Sequence, residues 1–138
     1  MIILDTNVIS ALIKEIPQTP LLDWLDRQAA SSIWTTTVNL MELRYGIEIM
    51  PEGRRKQQIA NSFELMMSVK FEGRVADFDS AAARRTAELM AGRRAMGRPI
   101  DLSDSMIAGI VLSRNAELAT RNVAHFLDLG GKVINPWD

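Results

Sequence analysis

The chain has no cysteine and a single histidine among its 138 residues. Disulfides, thiolate metal sites and cysteine nucleophiles are thereby excluded, and one imidazole is too few for an imidazole-rich zinc site. Oxygen ligands must hold any bound metal, which points to magnesium or manganese. No apolar run reaches the roughly eighteen residues of a membrane span, and no basic stretch followed by an apolar one opens the chain, so a cytoplasmic protein is expected. An excess of one charge sign is missing too. The net charge of −1 by itself argues for no nucleic-acid partner. What the chain does have is apolar content, 47 % of its residues, enough for one globular domain over 1–138 with a real core.

The opening stretch is MIILDTNVIS. An apolar run that ends at turn-forming polar residues reads as a strand buried on both faces, with Asp5 at its carboxyl end. Thr6-Asn7 then caps a helix to about Lys14, and Pro17 to Pro20 breaks it before a helix over 21–30. Ile33 to Thr36 reads as a strand. Thr37 caps a helix over 38–50 whose Leu40, Leu43, Ile47 and Met50 have core spacing. Pro51 and Gly53 precede a long helix over 54–68 and a short strand over 73–76. Asp79-Ser80 caps a helix to about Met96, which Gly97 and Pro99 stop. Asp101 begins a helix to about Asn115; strands over 117–120 and 132–134 follow, with a helical turn over 123–127 between them. Strands separated by helices imply βαβ units, hence a three-layer α/β/α domain with a mainly parallel sheet of four or five strands.

In such a sheet, strand ends and the first turns of following helices gather on one edge. Asp5, Glu42, Asp101 and Asp104 can all meet there. Each has a plain structural reading: Asp5 as a helix cap, Glu42 as a surface partner of Arg44, Asp101 and Asp104 as a capping pair. Glu42 nevertheless interrupts the largely apolar Val38 to Leu43 stretch, where a carboxylate must be solvated, paired or bound to a cation. Carboxylates with no histidine, cysteine or glycine-rich phosphate loop fit metal-dependent phosphodiester hydrolysis, in which a divalent cation acidifies a water and stabilises developing charge. A haloacid-dehalogenase-type phosphatase needs a second Asp where this chain has Asn7. A receiver domain needs an acidic pair that is missing here.

Four ordered stretches carry a resemblance across the whole chain: MIILDTNVIS, Asn39 to Ile47, Pro99 to Ala108, and Ala119 to Asn122 with His125-Phe126, closing on Asn135-Pro136-Trp137. They resemble the motifs of PIN-domain proteins, above all the VapC/FitB group, the toxin half of bacterial toxin–antitoxin pairs. The resemblance implies a magnesium- or manganese-dependent endoribonuclease that cleaves RNA, is blocked by a VapB-like antitoxin, is commonly a homodimer, and reaches operator DNA only through the antitoxin. Carried over by position, Asp5, Glu42 and Asp104 hold the metal, with Thr6, Asn7 and Thr120 orienting a carboxylate or a water. The family's frequent fourth acid is replaced by Asn122, which brings an amide oxygen without charge; Asp101 is the candidate to supply that charge.

Arg84, Arg85, Arg93 and Arg94 crowd one stretch and are candidates for RNA phosphate contact, or simply a solvated helix face. His125 reads as a cap or packing residue before Phe126. Trp24, Trp34 and Trp137 read as core, and the eight methionines as filler or partner-facing side chains. Two other classes stay open: a binding module with a degenerate acid cluster, and a nuclease or phosphatase acting on another phosphoester.

Overall fold

The computed structural model describes residues 1–14, 19–98 and 101–138. The apolar run after Met1 becomes β1 (Ile2–Leu4), buried along its whole length. Alternation along a strand sends neighbours to opposite faces. Ile2 and Leu4 therefore join Val8, Phe63 and Phe71 in one core, while Ile3 joins Val38, Ile107 and Leu118 in the other. Each large apolar side chain so buried contributes about 1.5–3 kcal/mol.

Four more strands flank it: β2 (Ile33–Thr36), β3 (Val75–Ala76), β4 (Glu117–Ala119) and β5 (Val133–Ile134). The sheet order is β3-β2-β1-β4-β5. Every pairing is parallel, with Ile3 between Trp34 and Leu118. Helices α1 (Thr6–Ile13), α2 (Thr19–Asp26) and α4 (Arg54–Leu65) cover the first core, and α5 (Ser80–Ala95) and α6 (Leu102–Ser113) cover the second. Between them, α3 (Thr37–Glu48) gives Leu43 to one core and Val38 to the other. The result is the expected three-layer α/β fold. Trp24 lies in the first core, and Trp34 and Trp137 pack partly buried against the second and the first respectively.

The chain builds outward from β1 to β2 and β3, then returns to the opposite side of β1 for β4 and β5. Such a reversal splays the connections apart at the carboxyl ends of the two strands concerned and opens a crevice there. Asp5 follows β1 and Thr120 follows β4. The acids of α3 and α6 enter this crevice because both helices start at the same edge.

Several local expectations shift. The second helix begins at Thr19 and ends at Asp26, because a proline is tolerated in a helix's first turn; residues 30–32 form a separate 3-10 turn. Thr36, not Thr37, is the N-cap of α3, its hydroxyl accepting from Asn39 N, while the Thr37 hydroxyl accepts from Phe78 N. The helix expected over 54–68 becomes α4 and then a π-helical turn over Met66–Phe71, closed by left-handed Glu72 (φ 47°) and Gly73 (φ 79°). The breaks assigned to Pro17 and Pro99 lie outside the described residues. Helix α6 lies close on α5 because Gly109 has no side chain: a Cβ there would stand 1.8 Å from Thr86 Oγ1 and 2.8 Å from the Ala82 carbonyl oxygen.

Candidate active site

Asp5 is the N-cap of α1 and is 4 % exposed. Its Oδ1 accepts from Thr6 N (2.8 Å) and Asn39 Nδ2 (3.0 Å), and its Oδ2 from Thr120 Oγ1 (2.8 Å) and Asn7 Nδ2 (3.1 Å). A buried carboxylate without an ion pair is tolerable only when its charge is hydrogen-bonded on every side. The donors come from α1, from α3 and from the end of β4, so Asp5 ties three elements together. Asn39 is fully buried and reaches both acid-bearing regions, donating also to Thr6 Oγ1 (3.0 Å) and accepting from Thr36 Oγ1 (2.6 Å).

Thr6 Oγ1 in turn donates a hydrogen bond to Glu42 Oε1 at 2.6 Å. Glu42 is half-buried on α3, and the surface pairing with Arg44 is not made, since Arg44 instead pairs with Glu64 at 3.0 Å. Burial pushes the Glu42 carboxyl above its ordinary 4.5; the Thr6 bond opposes this, and the charges of Asp5, Asp104 and Asp101 add to it. Asp104, in the first turn of α6, is likewise raised above 3.8, first by burial, then by Asp101 and Asp5, with His125 pulling the other way. Asp101 is the N-cap of α6, its Oδ1 accepting from Asp104 N at 2.9 Å. It contributes charge to the site from the cap rather than by turning inward.

His125 corrects an expectation. Its ring is exposed rather than packed, and Nδ1 lies 3.1 Å from Asp104 Oδ2. Asn122 is exposed; its N–H donates to Thr120 Oγ1 at 3.0 Å, and its side chain makes no capping bond.

The donor set is one of hard oxygens under mutual repulsion, and no lysine or arginine among the described residues pairs with Asp5, Glu42 or Asp104. As the side chains stand, no three of the described Asp, Glu and His residues are gathered to metal-ligating distance. That chemistry fits a divalent cation of the magnesium or manganese type. A cleft of about 400 Å³ opens on each side of the acids, one beside Thr6 and Glu42 with Lys14 and Arg55 at its rim, the other beside Asp104 and His125 with Arg98.

The family model for the PIN domain matches residues 2–131. The chain belongs to the PIN-domain family. It is 39 % identical to the plasmid stability protein StbB of Pseudomonas syringae pv. tomato, over all of this chain and 99 % of that one. It is 37 % identical to the VapC ribonuclease Y4jK of Sinorhizobium fredii, over the same shares. Among solved structures, DNA-bound VapBC from Salmonella typhimurium superimposes with a TM-score of 0.82 at 28 % identity, covering 99 % of this chain and 98 % of that one.

The PIN domain treats the four candidate arginines differently. Arg84 and Arg85 are exposed beside Leu112 and Ser113, at the far end of α6 from Asp104 and thus about 12 Å along its axis. Arg94 is exposed in the last turn of α5. Arg93 departs from the expected phosphate contact: it is 5 % exposed and its guanidinium grips Asp128 (3.0 and 3.2 Å), Ser105 Oγ (3.3 Å) and the His125 carbonyl oxygen (3.2 Å). This grip holds the Asp128 carboxyl below its ordinary 3.8 and pins the start of α6 to the His125 segment. Sequence reading missed Asn39 and this clamp. Asn39 had a signal, an amide beside Val38 and Leu40 in an apolar helix face; Arg93 had none that set it apart from Arg94.

Proposed function

We propose that this chain is the toxin of a toxin–antitoxin pair, a magnesium- or manganese-dependent endoribonuclease that cuts RNA phosphodiester bonds. The observation that carries the reading is the trio Asp5, Glu42 and Asp104, carried by three elements at the β1/β4 crevice, with two of them raised and no lysine or arginine among the described residues paired to them. The three would hold the metal, and Asn122 would complete its shell with an amide oxygen. When bound, a divalent cation supplies an acidified water and a counter-charge for the phosphoryl oxygens. Thr6, Asn7 and Thr120 orient Asp5 and Glu42, Asp101 adds charge from the α6 cap, and the clefts on either side leave room for the strand to enter and leave. Of the candidate arginines, Arg94, Arg84 and Arg85 remain open to phosphate contact.

A carboxylate crevice that cuts cellular RNA requires an inhibitor. A VapB-like antitoxin would lay a segment in the cleft beside Glu42, against Ile13, Leu43 and Ile59, and offer an arginine to the acids. Operator DNA would be reached only through that partner. The exposed stripe Met41, Tyr45 and Ile49 on α3 suits a homodimer. Among the described residues no helix is long and apolar enough to cross a membrane. On the same proposal the chain works in the cytoplasm as a single domain over 1–138.

The test is induced expression of the parent beside Asp5→Asn, with growth and total RNA integrity followed together. Arrest and discrete RNA fragments from the parent alone support the ribonuclease. Identical behaviour of the two would leave Asp5 as a helix cap and make the protein a binding module.

A further inference from the structure

Arg121 lies between Thr120, which bonds Asp5, and Asn122. Its backbone N–H donates to Asn7 Oδ1 at 3.0 Å, and Asn7 in turn donates to Asp5 Oδ2. The residue is therefore anchored two hydrogen bonds from the first acid. An arginine whose backbone is held this close to Asp5 has carboxylates to pair with, and charge-assisted bidentate pairs are the strongest hydrogen bonds an arginine makes. It makes no ion pair among the described residues. Its guanidinium carbon stands over the Trp137 ring instead, 4.0 Å from the centroid.

The platform is built rather than incidental. Thr120 N donates to the Ile134 carbonyl oxygen (2.9 Å), hanging the carboxyl-terminal segment beside the end of β4. Trp137 N donates to Asn135 Oδ1 (3.0 Å), and the indole packs partly buried against the first core. A guanidinium held over an aromatic face keeps its N–H donors free for another partner. Arg121 follows Thr120 at the end of β4 and is exposed, with its charge not neutralised by any described carboxylate.

We infer that Arg121, seated over the Trp137 ring, is a phosphate-binding residue for the RNA strand, taking a phosphodiester next to the one at the acids. The inference rests on the ribonuclease reading and adds the residue that seats the strand. Its planar fork matches two non-bridging oxygens of one phosphate, a contact that carries no base preference. Arg93, closed on Asp128, does not offer this, and Arg84 and Arg85 lie at the wrong end of α6.

The experiment compares the parent with Arg121→Gln and Arg121→Lys in the full chain. Cleavage of a short fluorescein-labelled single-stranded RNA of mixed sequence is followed in magnesium, and its binding is followed by anisotropy against salt with calcium in place of magnesium. Loss of one phosphate contact lowers the slope of log affinity against log salt by about 0.7. Arg121→Gln is expected to show that drop and a KM raised about tenfold, the loss falling on KM rather than kcat. Arg121→Lys keeps the parent's salt slope and recovers only part of KM, since a point charge replaces a fork. Melting temperatures within about 2 °C of the parent rule out misfolding as the cause. A parent that cuts RNA, beside an Arg121→Gln with unchanged slope and KM or a loss confined to kcat, overturns the inference and leaves the ribonuclease intact. A parent that neither cuts nor binds RNA overturns the ribonuclease reading, and the inference with it.

Discussion

Replacing Asn39 by alanine removes the one amide that joins Asp5, Thr6 and Thr36. The bond to Asp5 Oδ1, at 3.0 Å, is charge-assisted and contributes about 1.5–3 kcal/mol. The bond from Thr36 Oγ1, at 2.6 Å, leaves a fully buried hydroxyl without that partner, which costs about 1–3 kcal/mol more. Asp5 keeps three other donors, so the low end of both ranges applies, about 2.5 kcal/mol together. With 138 residues, unfolding entropy is about 0.3 kcal/mol per degree and the expected fall in Tm is about 8 °C. A divalent cation at Asp5 replaces part of the lost positive field, so magnesium should recover some of the loss that is seen in EDTA. Asn39→Asp sharpens the test. Its new carboxylate faces Asp5 and is held protonated well above its ordinary range. The stability tied to that proton is full at acid pH and lost as pH rises through the raised value, so this variant should be less stable than Asn39→Ala at neutral pH and regain stability on acidification. Thermal unfolding followed by near-UV circular dichroism, in EDTA and in magnesium, measures all of this. An Asn39→Ala melting within about 2 °C of the parent in EDTA would refute the network as the support of Asp5.

Thr6→Val removes the bond that holds the Glu42 carboxyl down, so that carboxyl should rise further. Because the folded values of Glu42 and Asp104 are raised, their contribution to the metal-free protein is full below 4.5 and 3.8 respectively and fades as pH rises. Divalent binding strengthens in the same direction, and the midpoint of magnesium stabilisation against pH should move upward in Thr6→Val; an unmoved midpoint would sink the assignment. Arg93→Met leaves Asp128 with Arg98 alone, at 3.7 Å, and because Asp128 is itself exposed the change should lower stability by about 1–2 kcal/mol, less than a fully buried pair would cost. Asp128 is lowered, so the parent loses this contribution as pH falls below 3.8; Arg93→Met should show a smaller acid-side loss, since Arg98 still faces Asp128, and Arg93→Met with Asp128→Leu should regain part of the stability in urea unfolding. Gly109→Ala drives a methyl into Thr86 and the Ala82 carbonyl and should cost about 3 kcal/mol, with Thr86→Ala relieving only the side-chain clash. A Gly109→Ala as stable as the parent would mean that α5 and α6 separate freely.

Local chemistry made β1, α3 and α6 legible, because burial and capping leave marks within a few residues. The run Ile2 to Leu4 announced a strand covered on both sides, and Asp79 and Asp101 announced their helices as caps. Boundaries failed where tertiary packing outweighed propensity, as in the π-helical turn that ends with Phe71 fully buried. The three acids were legible as residue types at a common sheet edge. His125 was not, because nothing around it in sequence marks a partner 21 positions away.

By itself the sequence determined which chemistry was open: without cysteine and with one histidine, only oxygen donors remained, and the alternation of apolar runs and caps settled a layered α/β chain. Only the tertiary structure decided who supports whom. Thr120 stands beside Asp5 across 115 positions because β4 pairs with β1 on the side opposite β2. Asn39 faces inward, Arg93 pairs with Asp128, and Arg121 lies over the Trp137 ring. Contacts of that range follow from strand order, which leaves no periodicity in the local sequence to read.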